Sequence, residues 1–226
     1  REVVTLMTLG TYPEKLTLGY LRNQRLIDHI EEIAEVRVDW ERETADVITT
    51  HGEGITNLQE KISSRIVTSG CGQGTIFSCT LDKLYDTRLP RVEILQSTIY
   101  ALLKTISSYN EVYRAAGAVH GCALCDGAQI LYFVEDVGRH NALDKLVGSL
   151  ASRDQLPATG LVCAVSGRAS FELVQKAAVA GFDALIAVGA PSSLAVETAR
   201  EAGMILCGFA GNAGLNCYSG ASRLGL

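Results

Sequence analysis

Aromatic side chains are scarce in this chain, 6% of its 226 residues with a single tryptophan, Trp40. Proteins that grip single-stranded nucleic acid stack bases on aromatic platforms, so that class is disfavoured. Basic excess is missing too: 20 Lys and Arg against 25 Asp and Glu give a formal charge of -5, and a non-specific nucleic-acid binder needs the opposite balance. No apolar run reaches membrane-spanning length. The longest, Ala177 to Phe182 and Ala184 to Ala190, is broken by Asp183 and carries two glycines, so we expect a soluble chain with no membrane partner. The sequence opens Arg1-Glu2-Val3 without an initiator Met, a basic n-region or an apolar h-region, and reads as trimmed at its amino end with no targeting address. Disorder is disfavoured because 47% of residues are hydrophobic, enough for one large domain or two small ones to bury a core.

Seven cysteines are present, an odd number scattered as Cys71, Cys79, Cys122, Cys125, Cys163, Cys207 and Cys217. A chain of this size needs no disulfide staples, and the pattern suits a reducing cytoplasm. Cys163 and Cys207 lie in apolar runs, Leu-Val-Cys-Ala-Val and Ile-Leu-Cys-Gly-Phe, where a thiol acts as a small buried hydrophobe.

Residues 1–90 read as a small α+β lobe, with a helix from Glu14 to about Leu26 and strands around Ile33 to Val38 and Val47 to Thr50. Arg65-Ile-Val-Thr-Ser predicts a strand running into Gly70-Cys71-Gly72-Gln73-Gly74, a loop with three glycines in five residues. Residues 91–226 read as an α/β domain. Val92, Leu95, Ile99, Leu102, Ile106, Tyr109 and Tyr113 recur at helical spacing up to Gly117. Two strand-like runs, Ala118 to Leu124 and Gln129 to Glu135, flank an Asp126-Gly127 turn and predict an antiparallel hairpin. Helix and strand then alternate: Asn141 to Leu150, Gly160 to Val165, Ser170 to Ala180, Ala184 to Val188, Ser193 to Ala202, Met204 to Phe209. That order predicts a sheet with parallel strands covered by helices.

In such a sheet ligands gather at the carboxyl ends of the strands. Three segments carry a strand end into a helix start: Glu135-Asp-Val-Gly-Arg-His-Asn141, Ser166-Gly-Arg-Ala-Ser170 and Gly189-Ala-Pro-Ser-Ser193. Glycines let backbone N–H groups approach a ligand and helix starts favour anions. Arg139 and Arg168 can fork onto phosphate oxygens. The candidate nucleotide-binding residues are therefore Arg139, His140, Ser166, Gly167, Arg168, Ser170, Gly189, Ser192 and Ser193. Against this stands the plainer account, in which Ser170 and Ser193 cap helices, Gly167 and Gly189 make turns, and Arg139 pairs at the surface. No Walker A or G-x-G-x-x-G string is present.

His120-Gly-Cys-Ala-Leu-Cys125 is the most metal-like string. On a strand, however, His120, Cys122 and Leu124 share one face and Cys125 the other, so an incidental or redox dithiol is read ahead of zinc and no metal ligand is assigned. Cys71, flanked by Gly70 and Gly72, has the reach that a nucleophilic or sulfur-carrying thiol needs; the alternative is an unreactive loop cysteine.

The strings Glu135 to Lys145, Ser166 to Lys176 and Gly189 to Glu197 resemble the FdhD family, sulfurtransferase accessory proteins of formate dehydrogenase. The resemblance spans nearly the whole chain and is dense from His120 onward. It implies a cytidine-deaminase-like three-layer α/β/α fold for the C-terminal part and a homodimer. It also implies a sulfur carrier that takes persulfide from a cysteine desulfurase to molybdenum bis(molybdopterin guanine dinucleotide), for insertion into formate dehydrogenase, so that a guanine nucleotide would mimic the ligand. The family's carrier loop is Cys-Gly-x-Cys. Cys71-Gly72 matches its first half and implies Cys71 as the persulfide site, while Gly74 stands where the second cysteine would be. The family's C-terminal cofactor stretch corresponds to Phe209, Ala210, Gly211, Asn212, Ala213 and Gly214, without the family's arginines, before Asn216-Cys217-Tyr218. Further departures are Ala116-Gly-Ala-Val for the family's Thr-Gly-Gly and Asn23-Gln-Arg25 for Ser-Glu-Gly. Two other readings remain: a non-catalytic cofactor chaperone that has lost sulfur transfer, and a zinc-dependent deaminase-like hydrolase, which lacks the Glu two residues after the His and the Pro-Cys-x-x-Cys ligands.

Overall fold

A computed structural model describes residues 2–63, 65–67, 75–77, 88–90, 92–211 and 213–225. The chain runs α1 (Pro13–Asn23), β1 (Ile33–Asp39), β2 (Thr44–Thr49), α2 (Leu58–Ser63), β3 (Arg65–Val67), β4 (Thr75–Phe77), β5 (Ile94–Leu95), α3 (Gln96–Tyr109) and α4 (Glu111–Ala116). It continues β6 (His120–Asp126), β7 (Gln129–Asp136), α5 (Arg139–Ala151), β8 (Val162–Val165), α6 (Phe171–Ala180), β9 (Ala184–Ala187), α7 (Ser193–Ala202), β10 (Ile205–Gly211), β11 (Gly214–Ser219) and β12 (Leu224–Gly225).

Strands β8 and β9 are apolar and buried at every position, as a strand covered on both faces must be. They form the middle of a six-stranded sheet of order β11-β10-β9-β8-β6-β7. Strands β8, β9 and β10 are parallel, and the predicted β6–β7 hairpin joins antiparallel to β8. Alternation sends Cys163, Val165, Leu185 and Ala187 towards α5, α6 and α7. Val162, Ala164, Ala184 and Ile186 point to the other face, against Ile99 and Leu102 of α3. Helices thus cover both faces of a mixed α/β sheet. Strand β11, which pairs antiparallel with β10, lies beyond the last element the periodicity predicts.

The single helix predicted from Val92 towards Gly117 is two. Asn110 takes ψ 65, which leaves the helical region, and the Glu135 carboxylate restarts the turn by accepting from the backbone N–H groups of Val112 and Tyr113 at 2.9 Å each. An anion at that helix start is favoured by the orphan donors there.

Ahead of the sheet, β1 and β2 pair antiparallel over a small core of Tyr20, Leu21, Leu26 and Ile27. Helix α1 does not stay within that lobe; it packs on α5 at backbone contact. A Cβ on Gly19 would fall 1.8 Å from the Asp144 carbonyl oxygen, and one on Gly148 1.9 Å from that of Lys15. Gly148→Ala should therefore destabilise the protein by about 1–3 kcal/mol, although alanine favours an isolated helix by about 1 kcal/mol. Denaturant unfolding checks it; an unchanged or raised midpoint would mean the helices can part freely.

Candidate functional site

Because β8, β9 and β10 are parallel and β6 is antiparallel to β8, the carboxyl ends of three strands meet the start of β6 and the end of β7 at one edge. Backbone hydrogen bonds stitch the junctions side by side. Ser166 N–H donates to the Gly121 carbonyl at 3.0 Å, Gly189 N–H to Gly167 at 3.0 Å and Phe209 N–H to Gly189 at 3.3 Å. Ser166 Oγ accepts from Gly121 N–H at 2.9 Å. The junctions approach so closely that side chains would collide. A Cβ on Gly189 would lie 2.8 Å from Arg168 Cγ, and one on Gly167 3.2 Å from both Arg139 Cδ and His120 Nδ1.

Not every predicted residue faces outward. Arg168 is exposed at the start of the α6 junction. Arg139 lies across Gly167 beside His120, a ring that sequence reading treated only as a metal candidate. Burial, with Arg139 beside it, pushes the His120 imidazole below its ordinary value. His140 points inward: its Nε2 is 2.9 Å from Ser170 Oγ and 4.0 Å from Glu172. Burial, with Lys176 and Arg139 adding to it, pushes His140 down to about 3, so the ring is neutral. Ser170 occupies the N-cap position of α6 without a side-chain capping bond, its hydroxyl serving His140 instead. Ser192, not Ser193, caps α7, accepting from Ala195 N–H at 3.2 Å; Ser193 is exposed on the first turn.

Phe209 is 55% exposed at φ 50, a left-handed backbone that costs a non-glycine residue free energy and collects at functional sites. A register shift between Gly208 and Gly211 accompanies it. Ala210 turns into the core, whereas a Cβ on Gly211 or Gly214 would meet nothing within 4 Å, and Ala213 is exposed. Asn212 lies outside the described residues. Val188 and Val137, 49% and 42% exposed, stand on the same edge; Val137 lies within the first junction, but neither was named as a candidate residue.

Half of the Glu135–Lys145 string proves to be scaffold. Asp136 is fully buried, and its carboxylate accepts from Lys145 Nζ, from Thr8 Oγ1 at 2.6 Å, from Leu9 N–H at 3.3 Å, and from Gly138 N–H and Asn141 Nδ2 at 3.0 Å each. Burial pushes this carboxyl up, but the hydrogen bonds from Lys145, Thr8 and Gly138 outweigh it and hold it below the usual range. Lys145 Nζ also donates to Thr11 Oγ1 at 2.9 Å, and Asn141 Nδ2 to the Met7 carbonyl at 2.7 Å. One helical turn on, Asp144 accepts from Asn23 and Lys176 at 2.6 Å each. Sequence alone gave no sign that a strand-end acid and a lysine nine residues later would be paired.

Cys71, the predicted carrier, and Cys79 lie outside the described residues. Of the other thiols, Cys122 and Cys125 are buried on opposite faces of β6, which agrees with the alternation argument. Cys122 Sγ is 3.6 Å from Cys163 Sγ. Burial pushes Cys125 up to about 12 and pushes Cys207 up as well, so these thiols stay protonated and out of reach. Among the described residues no group of three or more His, Cys, Asp or Glu side chains could hold a metal ion, and no helix is long and apolar enough to cross a membrane.

The buried neutral His140 sets an acid limit. Its folded value lies below its unfolded value, so the unfolded chain binds the extra proton and stability falls as pH drops from about 6.5 towards 3. Between pH 7 and pH 5 His140 should account for a loss of about 2 kcal/mol. Urea unfolding of wild type and His140→Gln at both pH values measures it: the variant should lose correspondingly less, and equal losses would refute the assignment.

Comparison with known proteins agrees with this architecture. Residues 1–225 match the FdhD/NarQ family. The chain is 33% identical over 213 residues to the sulfur carrier protein FdhD of Saccharolobus solfataricus, covering 93% of this chain and 79% of that one. Its identity to the Bacillus subtilis protein of the same name is 32% over 229 residues, with 99% and 84% covered. A crystallised protein of Desulfotalea psychrophila, assigned as a formate dehydrogenase accessory protein, shares the fold with a TM-score of 0.76 at 21% identity, over 99% of this chain and 84% of that one. With the match running from end to end and identities above 30% to several relatives, this chain belongs to the FdhD/NarQ family.

Proposed function

We propose that the protein is a sulfur carrier in formate dehydrogenase maturation. It receives persulfide sulfur from a cysteine desulfurase and serves the molybdenum bis(molybdopterin guanine dinucleotide) cofactor, its cargo. The observation that carries the ligand half of this reading is the convergence of three glycine-bearing junctions, Arg168 and the exposed Phe209 on one sheet edge. Such an edge suits a guanosine diphosphate arm. Backbone N–H groups and the Arg168 guanidinium would take phosphate oxygens, the Phe209 ring would cover the base, and the absent side chains of Gly167 and Gly189 would let the diphosphate lie close to the backbone. Arg139 and His120 would line the floor, with His140 and Ser170 holding the junction from behind. The helix-sheet-helix layering and the strand order support reading the C-terminal part as deaminase-like, and a homodimer in the reducing cytoplasm completes the picture.

The sulfur half rests on Cys71 and on the names of the relatives as sulfur carriers. The Cys71 thiolate attacks the terminal sulfur of the donor's persulfide; a new S–S bond forms at Cys71, the donor's S–S bond breaks, and the donor leaves as a thiolate. Burial of Cys122, Cys125, Cys163 and Cys207 supports Cys71 in this role over them. The deaminase-like hydrolase reading is weakened by the opposed orientation of Cys122 and Cys125.

Incubation with a persulfide-loaded desulfurase, followed by alkylation and peptide mass spectrometry, should place one labelled sulfur on Cys71. Cys71→Ser should abolish the label and Cys125→Ser should leave it. Label on no cysteine would overturn sulfur carriage in favour of the chaperone reading.

A further inference from the structure

Strand β11 ends the six-stranded sheet, with β10 on one side and no strand beyond it among the described residues. Its antiparallel pairing with β10 sets Cys207 directly opposite Cys217. Both side chains lie on the sheet face that carries Ile186 and Ala210, Cys207 fully buried and Cys217 packed against that core but only half-buried. Both thiols are free. Directly opposed residues of an antiparallel pair hold their Cα atoms about 4.5–5.5 Å apart, inside the span that a disulfide bridges. Beyond this rung Gly208 faces Asn216, and the register then shifts before Gly211 meets Gly214, so the turn that carries Phe209 is weakly laddered above the two cysteines.

A buried cysteine alone is ordinary core filling, and so is a close pair that no solute can reach. Cys122 and Cys163 are such a pair, with Sγ atoms 3.6 Å apart and both side chains at 0% exposure. Cys217 differs, because it stands half-buried on the end strand of the sheet. A small oxidant reaches it from outside, and Cys207 is then reached through Cys217. Burial pushes both thiols up. At Cys207 the neighbouring Cys217 adds to the rise, whereas at Cys217 the hydrogen bond with Cys207 and the Arg223 guanidinium work against it, so Cys217 is the thiol of the pair that ionises first.

We propose that Cys207 and Cys217 are a peroxide-sensitive dithiol that closes into a cross-strand disulfide at the base of the β10–β11 turn. The Cys217 thiolate attacks one oxygen of hydrogen peroxide; an S–O bond forms, the O–O bond breaks, and the departing hydroxide takes a proton from solvent. The Cys207 sulfur then attacks the Cys217 sulfenic acid; the S–S bond forms, the S–O bond breaks, and hydroxide leaves with the Cys207 proton as water. Two thiols are oxidised and one peroxide is reduced to two waters. The bridge pins the turn that presents Phe209. The inference rests neither on what the carboxyl edge binds nor on sulfur carriage by Cys71.

Trypsin leaves both cysteines in one peptide, Glu201 to Arg223, because no Lys or Arg stands between. The folded full chain is treated with hydrogen peroxide, unfolded in alkylating agent, digested and weighed. That peptide should carry no alkyl group and be lighter by two hydrogens than its reduced form, while Cys122 and Cys163 stay alkylated. In Cys207→Ala the bridge is lost and dimedone should trap the sulfenic acid on Cys217; in Cys217→Ser, Cys207 should remain alkylated. Amide hydrogen exchange over Gly208 to Gly211 should slow severalfold on oxidation of the wild type and stay unchanged in Cys217→Ser. A wild-type peptide still alkylated at both cysteines, a bridge from either one to another peptide, or exchange unaffected by oxidation overturns the inference.

Discussion

The Asp136 carboxylate holds the site in place. It ends β7, sits without solvent at the base of the α5 junction, and draws in Lys145 from the second turn of α5, Thr8 and Leu9 from the amino-terminal segment, and Gly138 and Asn141 from the turn itself. An unpaired charge at such depth is strongly destabilising, and removing one partner of a buried pair costs about 3–5 kcal/mol. Segment 7–11, the strand end and the helix start are therefore fixed as one unit, and the direction of Arg139, the next residue after Gly138, follows from it. The Asp144 pairings with Asn23 and Lys176 and the contact of Gly19 with Gly148 extend the same anchoring to α1 and α6.

This separates two kinds of residue within one motif. Asp136, Asn141, Asp144 and Lys145 are buried and build the platform. Ser166 and His140 lock neighbouring junctions, Ser166 through Gly121 N–H and His140 through Ser170. What remains exposed on the edge for the proposed ligand is small: the Arg168 guanidinium, the backbone around Gly167 and Gly189, and Phe209 on its strained turn. A rigid floor with few protruding groups suits a large, polyanionic cargo whose own phosphates supply the charge.

Strand and helix order from His120 onward was legible because its signals are local: the Asp126-Gly127 turn, the apolar runs of β8 and β9, and Ser192-Ser193 before α7. The break at Asn110 was not legible, since the capping anion comes from Glu135 on another element. Of the string 135–145 only Arg139 and His140 were read as site candidates, and the pairing of Asp136 with Lys145 was hidden because it forms between separate elements. Lys145 looks like any surface lysine in a helical pattern, and only the fold brings Thr8, Thr11 and Asp136 around it. Arg168 was singled out by its place at a strand end and Phe209 by resemblance, and both are exposed, but the left-handed backbone at Phe209 has no signature in the sequence. Ser170 does stand at the N-cap of α6, with its hydroxyl turned to His140, whereas the α7 cap falls on Ser192 rather than Ser193, because capping depends on where the helix starts, to within one residue.

The carboxyl edge is proposed to bind a guanine nucleotide arm through Arg168. Titration of guanosine diphosphate into wild type and Arg168→Ala at equal ionic strength tests it most directly. Arg168→Ala should lose about 1.5–3 kcal/mol, roughly 10- to 150-fold in affinity, with unfolding unchanged; equal affinities for the two proteins would remove Arg168 from the site.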